Sequence, residues 1–233
     1  GPGSGKSGRL DIDGLGQEVL SRTAVSYDAR GALVLSLTVG LPAQGRRILG
    51  RAAAELLTRT LPDALEDALD AVDLDELRGW VETVEDQVAL RASLATRGLV
   101  AFLADDAQLA RRTGVDDRPL TDGVPFQAPA PLAVTLDAPH AGPLRGLGVP
   151  AGVTLIVGGG YHGKSTVLDA LARGVYDHVL GDGRHQCVTV FDAVSVRAED
   201  GRAVTGVDLR PFIDNLPLGR DTAAFVTEDA SGS

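Results

Sequence analysis

An α/β fold is predicted by three features of the sequence: an apolar, β-branched run at residues 153–157, a glycine-rich loop directly after it, and an amphipathic helical stretch continuing to Arg173. Strand, loop and helix in that order are the repeating unit of sheets covered by helices. Ahead of this unit, residues 1–125 mix strand-like and helix-periodic runs and read as an α+β N-terminal domain. The proline-rich stretch VPFQAPAP places a boundary at 125/126, leaving 126–233 as a second, partial α/β core.

Taken in order, residues 1–9 (GPGSGKSGR) read as a glycine- and serine-rich loop, whose GPGS head also reads as a cloning scar. Residues 23–27 and 32–41 are strand-like, with a hairpin turn over Asp28, Ala29, Arg30 and Gly31. Pro42 is placed to open a helix, with Ile48, Leu49, Ala52, Ala53, Leu56 and Leu57 on its apolar face. A second helix is expected over 62–72, with Asp63, Glu66 and Asp67 near its start. A third covers 74–96, with Leu77, Trp80 or Val81, Val84, Val88 and Leu94 as the buried stripe and Gly98 as the stop. Residues 98–103 (GLVAFL) read as a buried strand and 104–130 as polar loop. Strands are expected at 132–136, 144–147, 153–157 and 187–191, a hairpin over 194–204 turning at Glu199, Asp200 and Gly201, and a last extended piece at 207–209.

Composition narrows the class. With 44% apolar and 23% charged residues, the 233-residue chain has the makeup of a soluble, folded protein. No window approaches eighteen unbroken apolar residues, and no signal peptide opens the chain. Cys187 is the single cysteine, which excludes an internal disulfide and fits a reducing compartment, so a cytoplasmic location is expected. The net charge of −10 argues against indiscriminate binding to nucleic acid or anionic membrane, while leaving room for a local basic groove. Methionine is absent even from residue 1, which reads as a processed or excised chain. Only two of the 22 basic residues are lysines, Lys6 and Lys164, and both stand in the tripeptide Gly-Lys-Ser. In so arginine-rich a background, lysine marks positions where arginine does not serve.

Gly158, Gly159, Gly160, Tyr161, His162, Gly163, Lys164 and Ser165 match G-x-x-x-x-G-K-[ST] in full, between an apolar run and a helix. The glycines let successive N–H groups turn toward phosphate oxygens, and the helix start adds its partial positive charge. In this pattern Lys164 reaches the β- and γ-phosphates, Ser165 holds Mg²⁺, and Thr166 caps the helix or touches the α-phosphate. His162 contributes its backbone. ATP with Mg²⁺ is the expected ligand.

The segments GVTLIVGGGYHGKSTVLDAL, GVYDHVLGDGR, VRAEDGR, FIDNLPLGRDT and DASGS, together with VGLPAQGRRILGRAAAELL, EDQVALR, GLVAFLAD, RRTGVDDRPL and VPFQAP upstream, resemble the predicted ATPases of the ABC class over nearly the whole chain. The resemblance implies an N-terminal domain followed by an ABC-type P-loop core. It also implies that residues 158–166 form the Walker A loop, that Ser231, Gly232 and Ser233 begin the signature segment, and that the full-length protein forms a head-to-tail homodimer around ATP. No run of four apolar residues followed by Asp-Glu, the family's Walker B strand, occurs before Ser233, and no clear Q-loop glutamine or switch histidine is found. The nearest imitation, Cys187 to Asp192, has alanine after its aspartate. Hydrolysis is therefore expected of the full-length protein and not of this segment alone.

Weaker patterns remain. Lys6 and Ser7 echo a phosphate loop without a preceding strand, and Arg46, Arg47 and Arg51 are expected along one helix. Together they make an alternative reading, an RNA-binding protein with a regulatory nucleotide site. The scarcity of interleaved aromatics counts against it. A small-molecule kinase would need an acceptor pocket and a lid, which the sequence does not display. Arg111, Arg112, Asp116, Asp117 and Arg118 read as a salt-bridged surface loop or a nucleotide-proximal one, and Phe126 as packing at a domain junction in preference to stacking on adenine, as aromatic residues do in the family it resembles. His140, His178 and His185 have no metal-ligand spacing.

Overall fold

The computed structural model describes residues 6–158, 162–196, 201–211 and 221–230. Its N-terminal part is built from short ribbons: β1 (Leu10–Asp11), β2 (Glu18–Val19), β3 (Val25–Tyr27), β4 (Leu33–Leu35), β5 (Thr38–Val39), β6 (Ala43–Gln44) and β7 (Arg47–Ile48). β3 and β4 form the expected hairpin. Its turn is fastened by Asp28 Oδ1, which accepts from the N–H groups of Arg30 and Ala32 at 2.8 and 2.9 Å. The expected strand 32–41 is broken after Leu35 and resumes as β5, which pairs with β1.

The helix expected from Pro42 begins only at Gly50. Before it, β6 and β7 make a two-stranded ribbon turning at Gly45, whose φ of +59° suits such a turn. α1 (Gly50–Glu55) continues through a wider turn at Leu56–Thr60 into α2 (Leu61–Asp70).

α3 (Leu74–Leu94) starts at Asp73, whose carboxylate accepts from Asp75 N and Glu76 N, and gives way at Gly98 with φ +66°. Its buried side differs from the apolar stripe. Leu77, Val81 and Val88 are about half exposed, whereas Asp86, Gln87, Leu90, Arg91 and Leu94 are buried. The three buried polar residues all bond to backbone or charge elsewhere. Asp86 accepts from His140 N and Ala141 N. Gln87 accepts from His178 N and donates to His178 O. Apolar periodicity cannot register a face whose burial is satisfied by such bonds.

Behind α3 lies β8 (Leu99–Ala104). The expected polar loop after it contains a hairpin, β9 (Arg111–Thr113) with β10 (Asp116–Pro119). β11 (Ala133–Ala138) and β12 (Gly142–Pro150) form a long hairpin, followed by α4 (Lys164–Arg173), β13 (Asp177–His178), β14 (Cys187–Thr189), β15 (Arg202–Val207) and β16 (Phe225–Ala230). The principal sheet is antiparallel throughout, in the order β11-β12-β8-β14. Leu90 and Leu94 of α3 pack on one face against Phe102, Leu136 and Val188. Ala170 of α4 packs on the other against Leu103, Leu109 and Cys187, with Phe126 beside them. The result is three layers, helix, sheet and helix, with α4 held by its own core. β8 is covered on both faces, which explains why it reads as an unbroken apolar run although its neighbours are antiparallel. It lies before the expected 125/126 division and its partners β12 and β14 after it, so the sheet joins both sides.

Two strand expectations are corrected. Residues 153–157 form no strand and pair with none among the described residues. Val153 and Val157 are 95% and 81% exposed. The chain turns away from the sheet at Gly152 (φ +114°) once β12 ends at Pro150. Of the hairpin expected over 194–204, residues 197–200 lie outside the described residues, and the flanking 194–196 and 202–204 do not pair with each other. β15 pairs with β16, more than twenty residues on, because Phe225 and Thr227 supply the complementary strand.

Cys187 is fully buried, and burial pushes its thiol up to about 12. The folded chain should therefore resist iodoacetamide at pH 8, with rapid alkylation appearing only in denaturant. Mass spectrometry of timed quenches reads this directly. Among the described residues, no helix is long and apolar enough to cross a membrane.

Candidate functional site

α4 begins on Gly163, whose left-handed backbone (φ +80°, ψ +8°) suits glycine best. No side chain caps the helix. The first-turn N–H groups, which have no partner within an α-helix, point with the positive end of its dipole into the space before it. There lies a cavity of about 410 Å³ bordered by His162, Gly163, Lys164, Ser165 and Thr166. Lys164 Nζ donates to Gly158 O at 2.8 Å, so the ammonium arches back over its own loop. Gly159, Gly160 and Tyr161 lie outside the described residues.

Ser165 and Thr166 also border a larger cavity of about 580 Å³. The tip of the β9–β10 hairpin covers it on one side and residues 17–18 on another. Its walls are braced by ion pairs between distant parts of the chain. Arg111 donates to Asp182 Oδ2 at 2.7 Å and to the Asp182 carbonyl at 2.8 Å. Arg184 donates to Asp169 Oδ2 at 2.7 Å and to Leu109 O at 2.9 Å. Arg173, in the last turn of α4, pairs with Glu18 at 3.0 Å. His178 Nδ1 stands 3.0 Å from Asp182 Oδ2, near enough to pair when charged but not aligned as a hydrogen bond.

Two of these groups, and the neighbouring His185, are shifted by their surroundings. Burial raises the Asp182 carboxyl, but the His178 ring and the Arg111 guanidinium outweigh it and hold the group below its ordinary value. Burial lowers Arg184, with Asp169 working against it. Burial also lowers His185. A histidine held low in the fold leaves the unfolded chain binding more protons below about pH 6.5, so stability falls as pH drops through that point. Asp182 adds a second loss below about pH 4, where its unfolded carboxyl takes up a proton and the folded one does not. His140 works the other way, since its bond to Glu85 raises it, so in a His140→Gln background urea midpoints at pH 8, 6 and 5 should fall in that order, and His185→Gln should remove most of the drop between 8 and 5.

The other candidate residues are dispersed. Lys6 is exposed on a turn whose Gly8 N donates to Gly40 O, and Ser7 Oγ accepts from Ala43 N at 3.1 Å. Residues 6–9 are thus tied down, not a flexible tail, while 1–5 lie outside the described residues. Arg46 and Arg47 belong to the β6–β7 ribbon and Arg51 to α1, so the three do not line one helix. Phe126 packs in the core beneath α4. Asp192 sits in an exposed turn after β14. Ser231, Gly232 and Ser233 lie outside the described residues. No group of three or more His, Cys, Asp or Glu among the described residues is placed to hold a metal ion. Sequence reasoning missed Gln17, Glu18, Asp169, Arg173, His178, Asp182 and Arg184, which meet only through the fold. Their separations in the chain carry no pattern.

The P-loop domain model of the ABC_ATPase family matches residues 73–233, and the model for the N-terminal part of ATPases of the ABC class matches residues 1–71. An uncharacterized protein of Methanocaldococcus jannaschii, MJ1628, is 28% identical over 178 residues, which cover 72% of this chain and 40% of that relative. The chain thus spans less than half the length of the curated relative it matches.

Proposed function

The chain belongs to the ATPases of the ABC class, with a nucleotide-binding P-loop domain, and from that premise we propose that residues 158–166 are its Walker A loop and hold the phosphates of ATP. The observation that carries this reading is the start of α4: an uncapped helix N-terminus on Gly163, facing a cavity that Lys164, Ser165 and Thr166 border. The helix start and loop amides supply fixed positive potential, and Lys164 exchanges its bond to Gly158 O for the β- and γ-phosphate oxygens. Thr166 stands one residue further along the helix, at the α-phosphate. The Ser165 hydroxyl is exposed to both cavities and fits one coordination position of Mg²⁺, the remainder coming from phosphate oxygens and water. When bound, the ion neutralises phosphate charge. The nucleotide-binding unit begins in this reading with α3, which packs on the sheet beneath α4. Hydrolysis and closure of a head-to-tail dimer belong to the full-length protein.

Titration of the chain with a fluorescent ATP analogue in the presence of Mg²⁺ tests this. Saturable binding that unlabelled ATP competes away is the expected result, and no binding in the absence of competitor would sink the proposal. Lys6→Ala, run alongside, separates the two Gly-Lys-Ser loops: unchanged affinity leaves the phosphates to Lys164.

A further inference from the structure

The apolar stripe that the sequence assigns to the core lies outside it. Leu74, Leu77, Val81, Val84 and Val88 follow one another along α3 at spacings of 3, 4, 3 and 4 residues. The helix is held to the rest of the chain through Gln87, Leu90, Arg91 and Leu94 instead. The stripe therefore faces outward: Leu74 is 70% exposed, Leu77 and Val81 50% each, and Val88 49%. A 3-4 repeat of apolar residues is the seam by which one helix packs along another. Here the seam runs about 21 Å along the helix axis. Beside it, Leu15 and Val19 stand against Trp80, Val81 and Val84, and the groove of about 320 Å³ between them is apolar except for Glu85. Contiguous apolar patches of more than a few hundred Å² are rare on monomers and mark places where another surface docks.

Two features fit the seam to a copy of itself. Counted from Val81, the apolar positions fall at −7, −4, 0, +3 and +7, so an antiparallel copy of α3 meets the same pattern from its other end. The charges agree with the same arrangement. Arg78 and Glu85 stand at −3 and +4 on one flank of the seam. Antiparallel pairing sets the Arg78 of each helix beside the Glu85 of the other, which makes two ion pairs about one axis. Within the chain Arg78 pairs with Asp75 at 3.0 Å and Glu85 with His140 at 2.6 Å, both at the surface, where exchanging one partner for another costs little.

We propose that α3 is the contact between two copies of this chain, packed antiparallel about a two-fold axis at Val81. Such a contact is isologous, since both copies give the same residues to it. α3 covers the face of the sheet opposite α4, so the contact forms without nucleotide and leaves the phosphate loop open.

Sedimentation velocity of the chain in the absence of nucleotide tests this. The mass should rise with concentration from 24.1 kDa toward twice that value, with its midpoint in the micromolar range. Val81→Glu, at the axis and half exposed, should leave a monomer whose urea midpoint is unchanged. Arg78→Glu and Glu85→Arg should each weaken association about tenfold, because each sets like charges across the axis twice. The double exchange Arg78→Glu/Glu85→Arg should restore it, and this variant decides the matter if Val81→Glu fails to fold. Val81→Cys should oxidise to a linked dimer, whereas Leu74→Cys and Val88→Cys should link only when mixed; the native Cys187 is buried and does not interfere. A mass of 24.1 kDa at every concentration would overturn the proposal and leave the seam to a helix other than α3. Association that needs Mg-ATP, that persists in Val81→Glu, or that the double exchange does not restore would overturn it as well.

Discussion

Arg91→Ala is expected to remove about 3–5 kcal/mol of folding stability, the range found when one partner of a buried ion pair is deleted. The side chain is 2% exposed and its guanidinium is fully committed. It donates to Asp177 Oδ1 at 2.7 Å, to Thr189 O at 3.0 Å, and to the carbonyls of Gly174 and Tyr176 at 3.2 Å each. It also lies 4.5 Å from the centre of the Phe191 ring. These partners occupy the segment that leaves α4 and returns as β14, so one side chain of α3 fastens the exit of α4 to the sheet. Truncation strands a largely buried carboxylate and several carbonyls at once. Domains are stable by only about 5–15 kcal/mol, so the loss is a large share of the total. The urea midpoint measures it. Arg91→Lys should recover only part, because an ammonium cannot match the fork. A loss under about 1 kcal/mol in the alanine variant would show that this network does not hold α4.

Lys164→Ala is expected to weaken Mg-ATP binding about 10- to 100-fold, the equivalent of about 1.5–3 kcal/mol for hydrogen bonds to a charged group. Its thermal midpoint should stay close to that of the wild type, since Lys164 lies at the mouth of the loop and outside both hydrophobic clusters. Lys164→Arg should also weaken binding, because the compact ammonium and the planar fork present their donors differently. The chain keeps lysine here and at Lys6 alone, against an otherwise arginine-only complement of basic residues. Undiminished ATP affinity in Lys164→Ala would assign the phosphates to another part of the chain.

The helices of the core were legible because their signals are local. Asp73 and Gly98 bound α3, and the apolar positions of α4 follow directly on Gly-Lys-Ser. The β3–β4 turn was legible for the same reason: Asp28 bonds to residues two and four places on. The buried face of α3 was not. Gln87 and Arg91 are buried because His178, Asp177 and Thr189, some ninety residues on, supply their partners. The run 153–157 carries every local mark of a buried strand, yet strand pairing needs a neighbour, and none is formed among the described residues.

By itself, then, the sequence determined the glycine-rich Gly-Lys-Ser motif, the helix behind it and the family to which the chain belongs, since backbone turns, caps and motif spacing act within a few residues. Only the tertiary structure decided the antiparallel order of the sheet, the polar face of α3 and the second cavity. These depend on hydrogen bonds and ion pairs between residues far apart in the chain: Arg111 with Asp182, Arg184 with Asp169, Arg173 with Glu18. Each pair is held by the geometry that packing creates, and no spacing in the sequence encodes it.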